Sequence, residues 1–340
     1  MKKKNLIGCD AEGLEDYLST IGVGKRYSIK ILRWVYRKRV FDFGLINDIP
    51  RAVLDEIAKN FDVGLFYPSE TLFSGDGSTK YLYQNDSDML FESVLMKAEK
   101  RNTLCVSSQS GCRMGCKFCM TGSIGFKGNL TSRDILNQLF AIPDSKEVNR
   151  IVIMGMGEPF DNSDEVLNAI RILTADWGCA FGKTNITLSS VGILNELENF
   201  LNNPVCNLAI SLHSPFRDER SDLMPIEKSN PIEEVVNLIR NNPLPKPLRV
   251  SFEYVALSGI NLSINHAMAI AELLKGISCH LNIIPWNSHE SAKFNTPKDE
   301  ELQLFIAQLN SLGVLTTVRK SMAYEIGAAC GQMAGRKKGV

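Results

Sequence analysis

Thr103-Leu104-Cys105-Val106-Ser107-Ser108-Gln109-Ser110-Gly111-Cys112-Arg113-Met114-Gly115-Cys116-Lys117-Phe118-Cys119 is the stretch from which the rest of the chain is read. Its first half is a β-rich apolar run and its second half a loop spaced C-x3-C-x2-C, with no fourth cysteine nearby. A four-iron cluster is normally closed by four cysteines, so three leave one iron free to bind something other than protein. Zinc is the alternative, because it also takes thiolates in tight loops. A structural zinc, however, wants four ligands and commonly a C-x2-C pair.

Outward from this loop, apolar β-rich runs alternate with helical patterns. Strands are expected over 103–108, 150–155, 184–189, 207–212, 249–255, 280–285 and 315–318, with helices between them, among them 132–141, 162–176 and 297–312. Repeated βα units predict an α/β fold with a parallel sheet rolled into a partial or full barrel. Polar and glycine-rich clusters follow strand after strand: the cysteine loop, Gly155-Met156-Gly157-Glu158-Pro159, Ser189-Ser190-Val191-Gly192, Ser211-Leu212-His213, Pro285-Trp286-Asn287 and finally Cys330. Barrels of this kind gather their active sites at the C-terminal ends of the strands, so these clusters predict one site on one rim.

Residues 1–65 read as a small helical domain with helices over 11–20, 27–39 and 51–60. Residues 66–102 read as a β extension whose strands, 79–84 and 89–96, flank the turn Asn85-Asp86-Ser87-Asp88. The barrel would then span 103–320, and a C-terminal segment, 321–340, carries Cys330. Arg26, Lys30, Arg33 and Arg37 recur along one helix face, and Gly24 to Arg39 holds seven basic and no acidic residues. Such a stripe can meet phosphates, with Trp34 and Tyr36 interleaved, or can be a solvated face. Arg336-Lys337-Lys338 forms a second basic patch.

The chain has 340 residues, 44% hydrophobic and 22% charged, which excludes a disordered protein. No apolar run approaches the roughly 18 residues a membrane helix requires, so no membrane role is expected. Formal net charge is zero, and attraction to nucleic acid must therefore come from local patches. Nine cysteines with a tight cluster point to metal or catalysis in a reducing cytoplasm.

Glycines after a strand let backbone amides approach a ligand, so Gly155, Gly157 and Glu158 are candidates to hold a cofactor, although a Gly-x-Gly-Glu-Pro turn alone is weak. Ser189 and Asn287 taken singly are caps or turn formers, and a lone His213 is a buried histidine; the shared rim makes them candidate contacts. Cys105 and Cys330 could both reach the barrel mouth and exchange between thiol, thioether and disulfide states. The plainer reading of a free cysteine, a small buried hydrophobe, leads for each of these two taken from sequence alone, and it stands for Cys9, Cys179, Cys206 and Cys279.

With these pieces placed, the chain resembles the RlmN/Cfr family of radical S-adenosylmethionine (SAM) RNA methyltransferases almost end to end. The resemblance rests on Thr103 to Gln109 leading into Gly111-Cys112, on Met154-Gly155-Met156-Gly157-Glu158-Pro159, and on Ala209-Ile210-Ser211-Leu212-His213. Ile284-Pro285-Trp286-Asn287, Ala328-Ala329-Cys330-Gly331-Gln332 and, in the helical domain, Leu32-Arg33-Trp34-Val35-Tyr36 complete it. It implies a partial TIM-type (β/α)6 radical-SAM barrel, a [4Fe-4S] cluster on Cys112, Cys116 and Cys119, and SAM contacts at Gly157, Glu158, Ser189, Ser211, Leu212, His213 and Asn287. It further implies two uses of SAM, the first methylating Cys330 and the second yielding a deoxyadenosyl radical that takes hydrogen from that methyl group. The methylene radical would add to carbon 2 of an adenine in large-subunit (23S) rRNA, and possibly tRNA; Glu92 would take the ring proton and Cys105 would attack the Cys330 sulfur, leaving a disulfide. The implied partners are that RNA and a one-electron reductant such as flavodoxin or ferredoxin, and the implied state is a monomer.

One departure stands out. Where the family usually carries an acidic Arg-Gly-Asp-Asp type stretch before Ala328-Ala329-Cys330, this chain has Ser321-Met322-Ala323-Tyr324-Glu325-Ile326-Gly327. Methylation at carbon 8, as in Cfr, or a paralogue with another substrate are the alternatives. A radical-SAM protein acting on a small molecule or a protein, and a non-catalytic cluster- or zinc-holding RNA-binding module, are the competing classes.

Overall fold

The computed structural model describes residues 3–319 and 321–334. The basic run Arg336-Lys337-Lys338 lies outside the described residues.

At the N-terminal end, β1 (Lys4–Asn5) pairs in parallel with β2 (Phe61–Asp62), and between them run helices α1 (Ala11–Thr20), α2 (Arg26–Leu32) and α3 (Arg51–Asn60). Asp10 caps α1 by accepting the Gly13 N–H at 2.8 Å, and Leu14 and Leu18, one turn apart, are fully buried. The helix expected over 27–39 changes character midway. After α2 comes a π-helical turn, Arg33–Arg37, in which the Lys38 N–H reaches back five residues to the Arg33 carbonyl at 3.0 Å. That turn leaves Arg33 and Arg37 in solvent with Arg26 and Lys30, but carries Trp34 and Tyr36 inward. The Tyr36 hydroxyl lies between the carbonyls of Leu6 (2.8 Å) and Cys9 (2.7 Å), and the Trp34 indole donates to Asp48 Oδ1 at 2.5 Å. The aromatics expected between the arginines are thus structural and not free to stack on bases.

The main sheet has ten strands. Strands β3 (Glu70–Phe73), β4 (Thr79–Gln84) and β5 (Leu90–Ala98) run antiparallel and join β6 (Arg101–Cys105), so the 66–102 stretch continues the same sheet as the barrel. A two-stranded ribbon, β7 (Gln109–Ser110) with β8 (Gly128–Asn129), follows β6 and brackets the cysteine loop and the short helix α4 (Met120–Ser123). From β6 the sheet proceeds in parallel through β9 (Arg150–Ile153), β10 (Ile186–Ser190), β11 (Asn207–Ser211), β12 (Val250–Ala256), β13 (Cys279–Pro285) and β14 (Thr316–Val318). The edges are β14 and β3, which are not paired with each other: this is a partial barrel, with β14 as a short seventh parallel strand.

Helices α5 (Ser132–Phe140), α6 (Ser163–Thr174), α7 (Leu194–Asn202), α8 (Arg217–Leu223), α9 (Ile232–Asn241), α10 (Ile264–Leu274) and α11 (Asp299–Ser311) lie between successive strands. α5 opens on a capping box, Thr131 with Asp134, one residue before the start expected from sequence. Strand pleat decides which residues face the site. On β10, Ile186, Leu188 and Ser190 are buried while Thr187 and Ser189, on the other face, are less so. Register aligns Ser211, Glu253, Asn282 and Thr317 side by side across β11 to β14, a polar row in an otherwise apolar sheet.

Candidate active site at the C-terminal rim

The loop after β6 is folded back by its glycines. Gly111 has φ +72°, and a Cβ there would lie 1.8 Å from the Gly125 carbonyl oxygen, so no other residue fits. The Cys112 N–H then donates to that same carbonyl at 3.3 Å, and the Cys119 N–H closes the loop on the Cys116 carbonyl at 3.1 Å. The three thiols face one cavity with Glu158, Ser189, Ser211, His213, Asn287 and Cys330 around it.

Burial favours the neutral form of all three thiols, lifting Cys112 to about 12 and raising Cys116 and Cys119 as well; Cys119 pushes Cys112 and Cys116 up further, and Cys330 does the same to Cys119. A positively charged metal group beside them would favour their thiolate forms. No three Cys, His, Asp or Glu side chains converge on a point where one ion could sit, among the described residues. Three thiols lining one cavity, with no fourth cysteine in the loop, are a donor set that fits a cluster, in which each sulfur takes a different iron.

The turn after β9 supplies the opposite wall. Gly157, at φ +104°, packs so closely that a Cβ would lie 2.6 Å from Gln109 Cβ. Glu158 is buried, its oxygens accepting from the Phe160 N–H and the Val191 N–H, both at 3.0 Å. Burial nonetheless raises its carboxyl to about 7, and a cationic ligand group beside it would offset that cost. His213, at φ +56°, accepts the Val255 N–H on Nδ1 at 2.9 Å and meets the Phe118 ring edge-on at 4.7 Å. Burial, then the Arg220 charge, lowers its pKa to about 3, so it is a neutral, fixed imidazole.

Not every expected residue lines this cavity. The Leu212 side chain is wholly buried in the main core, and only its backbone takes part in the rim, its carbonyl accepting from Arg220 Nε at 3.0 Å. Asn287 lines the cavity but also donates to the Cys330 carbonyl at 3.1 Å, holding that loop in place. Cys105 lines a second cavity, adjoining the first, with Val94, Met96 and Met333; Cys330, which is exposed, and Arg319 line both. Glu92 lines neither. It is buried on β5 beside Lys80 at 3.4 Å, on the sheet face of Val94, which pairs with Cys105. Cys206 is fully buried and Cys9, Cys179 and Cys279 pack against the core.

Several site residues had no sequence signal. Arg220, in the run Arg217-Asp218-Glu219-Arg220, looks like a solvated helix face, yet it is fully buried. Its guanidinium is paired with buried Glu227 and donates to the carbonyls of Val191 (3.2 Å), Ser211 (2.8 Å) and Leu212. Glu253, on β12, accepts from Asn282 at 2.7 Å and faces Arg319 at 3.6 Å.

Residues 106–271 match the Radical SAM superfamily. The chain is 39% identical over 335 residues to a Parabacteroides distasonis protein named "Probable dual-specificity RNA methyltransferase RlmN", covering 98% of each. The chain belongs to the RlmN family. A second RlmN, from Syntrophus aciditrophicus, is 36% identical over 340 residues, covering 99% of this chain and 98% of its own. A crystal structure of a radical SAM methyltransferase from Sphaerobacter thermophilus superposes with a TM-score of 0.91 at 34% identity, covering 98% of this chain and all of that one. As an RlmN and a radical-SAM protein, the chain takes a [4Fe-4S] cluster and SAM as its cofactors. No helix is long and apolar enough to cross a membrane, among the described residues.

Proposed function

We propose that this protein methylates carbon 2 of an adenine in large-subunit rRNA, and in tRNA, using Cys330 as methyl carrier and Cys105 as its resolving partner. The observation that carries the reading is the place of Cys330: one loop borders both the cavity of the three cysteines and the cavity of Cys105. Cys112, Cys116 and Cys119 would hold the cluster. Gly157, Glu158, Ser189, Ser211, His213 and Asn287, with the backbone of Leu212, would surround SAM. Bound there, the two supply on reduction the radical that activates a methyl group, which carbon 2 of adenine, neither acidic nor nucleophilic, requires.

The chain's own residues then do the rest. The rim position of Cys330 exposes its sulfur to a base lifted out of an RNA strand. Glu92 would accept the ring proton, reached by way of the Cys105 face of the sheet. Arg26, Lys30, Arg33 and Arg37, all in solvent, offer a phosphate-binding face in the unit formed by residues 1–65. A small one-electron reductant of the flavodoxin or ferredoxin kind, a cytoplasmic setting and a monomeric state complete the proposal.

The test is mass spectrometry of rRNA and tRNA from cells with and without the protein, together with two variants. Cys105→Ala should accumulate a covalent protein–RNA adduct, and Cys330→Ala should form none. Normal methylation by both variants would overturn the proposal, and a lost methyl group on carbon 8 would move the reading to the Cfr reaction.

A further inference from the structure

The two-cysteine reading leaves one need unmet. A buried thiol attacks only as a thiolate, and a thiolate in an apolar cavity needs a positive partner. Burial lifts the Cys105 thiol to about 12, the nearby Cys330 sulfur adds to that, and Arg319 works against both. Among the described residues, four side chains lining its cavity can carry charge: Cys105 itself, Cys330, Arg101 and Arg319. Arg101 is exposed at the start of the same strand, four residues and hence about 13 Å away.

Arg319 is placed differently. It follows β14, its N–H is fixed to the Ile283 carbonyl at 2.9 Å, and its guanidinium lines both cavities. One nitrogen reaches the Met154 sulfur at 3.1 Å and lies 3.6 Å from Glu253, whose other oxygen is held by Asn282 and Ser251. Asn282 is braced in turn by Thr317 at 2.5 Å. The polar row across β12 to β14 thus ends in a cation at the junction where the Cys105 and Cys330 cavities meet.

We propose that Arg319 is a positioning residue for product release: held by Glu253 on the wall the two cavities share, it stabilises the Cys105 sulfur as a thiolate aimed at Cys330. The proposal rests on the two-cysteine reading above. In the step it serves, the Cys105 thiolate forms a bond to the Cys330 sulfur while the Cys330 sulfur–carbon bond breaks. The electron pair of that bond goes to the departing carbon, which takes a proton and becomes the methyl group on RNA. The two sulfurs end as a disulfide, oxidised by the two electrons the carbon receives.

The test follows the protein–RNA adduct in the reconstituted holoenzyme, quenched at intervals between about pH 6.5 and 9. Each unit by which the Cys105 pKa rises lowers the thiolate fraction about tenfold near neutral pH. Arg319→Met should therefore accumulate adduct at least about tenfold above wild type near neutrality and clear it as the pH is raised. Arg319→Lys, which keeps the charge, should retain a profile close to wild type. Clearance by Arg319→Met at the wild-type rate and pH overturns the proposal. So does an equal slowing in Arg319→Lys, which would make the role one of shape, and so does the absence of adduct in Arg319→Met when Cys105→Ala forms it. An absence of adduct in Cys105→Ala itself would instead sink the two-cysteine reading.

Discussion

Arg220→Met removes a cation that no solvent touches and leaves Glu227 buried at 1% exposure without it. Breaking a buried pair from one side typically costs about 3–5 kcal/mol, because the surviving charge keeps its desolvation penalty. Here the carboxylate retains the Ile232 N–H at 3.0 Å, which places the cost toward the lower end. Two carbonyls, Val191 and Ser211, lose the guanidinium, while that of Leu212 keeps the Ser214 N–H at 2.7 Å. At about 1–3 kcal/mol per buried group left unpaired, these two add a comparable amount. A loss of about 5 kcal/mol is expected by chemical denaturation of the protein without cofactor.

The double variant Arg220→Met with Glu227→Gln separates the two contributions. It should recover about 2 kcal/mol by removing the stranded charge, but not the part due to the strand-end carbonyls. SAM affinity, read by equilibrium dialysis, should stay weakened in both variants, since those carbonyls belong to the loops bearing Ser211, His213 and Val191. A loss below about 1 kcal/mol in the single variant, or a double variant no more stable than the single, would refute the idea that this pair holds the rim together.

The other perturbations act on the two walls of the cavity. Burial raises the Glu158 carboxyl from 4.5 to about 7, so folding favours its protonated form; stability from this group is full below about pH 4.5 and lost as pH rises toward and through 7. Glu158→Gln should gain on wild type by up to about 3 kcal/mol between pH 5 and 8 in denaturation of the cofactor-free protein, and a pH-independent gap would contradict that assignment. Gly111→Ala forces a Cβ against the Gly125 carbonyl at positive φ and should displace the cysteine loop, abolishing the brown iron–sulfur absorbance after anaerobic reconstitution; full cluster loading would show that the loop tolerates the change.

Much of the architecture was legible because strands β9 to β13 carry β-rich apolar runs ended by glycine or polar turns, and each turn marks the rim. The cysteine spacing and the Gly157 turn were legible for the same reason: backbone requirements leave local marks. What was hidden depends on partners far along the chain. Arg220 reads as surface until Glu227 and three carbonyls enclose it, and Glu253 reads as one polar residue in a strand until register sets it beside Asn282. The basic stripe was visible, but the π-turn that draws Trp34 and Tyr36 inward was not, since one extra residue per turn alters which faces align.

Segment 321–327 and the residues after Cys330 fix the loop that borders both cavities. Its Ala323 N–H donates to Asp76 at 2.7 Å and Glu325 accepts the Gly75 N–H at 3.2 Å, so the strap is tied to the β3–β4 turn on one side. Beyond Cys330, the Gly331 carbonyl takes the Met120 N–H and the Met333 carbonyl takes the Thr121 hydroxyl, both at 2.7 Å, which ties the other side to the helix following the cysteine loop. With Asn287 on its own carbonyl, Cys330 is held from both flanks while its side chain stays exposed. Fixing the backbone and leaving the sulfur free is what a carrier needs if it must face the methyl source and then the resolving thiol without the loop refolding between steps. The anchors on the β3–β4 turn therefore fix the approach to Cys330 without an acidic run in 321–327.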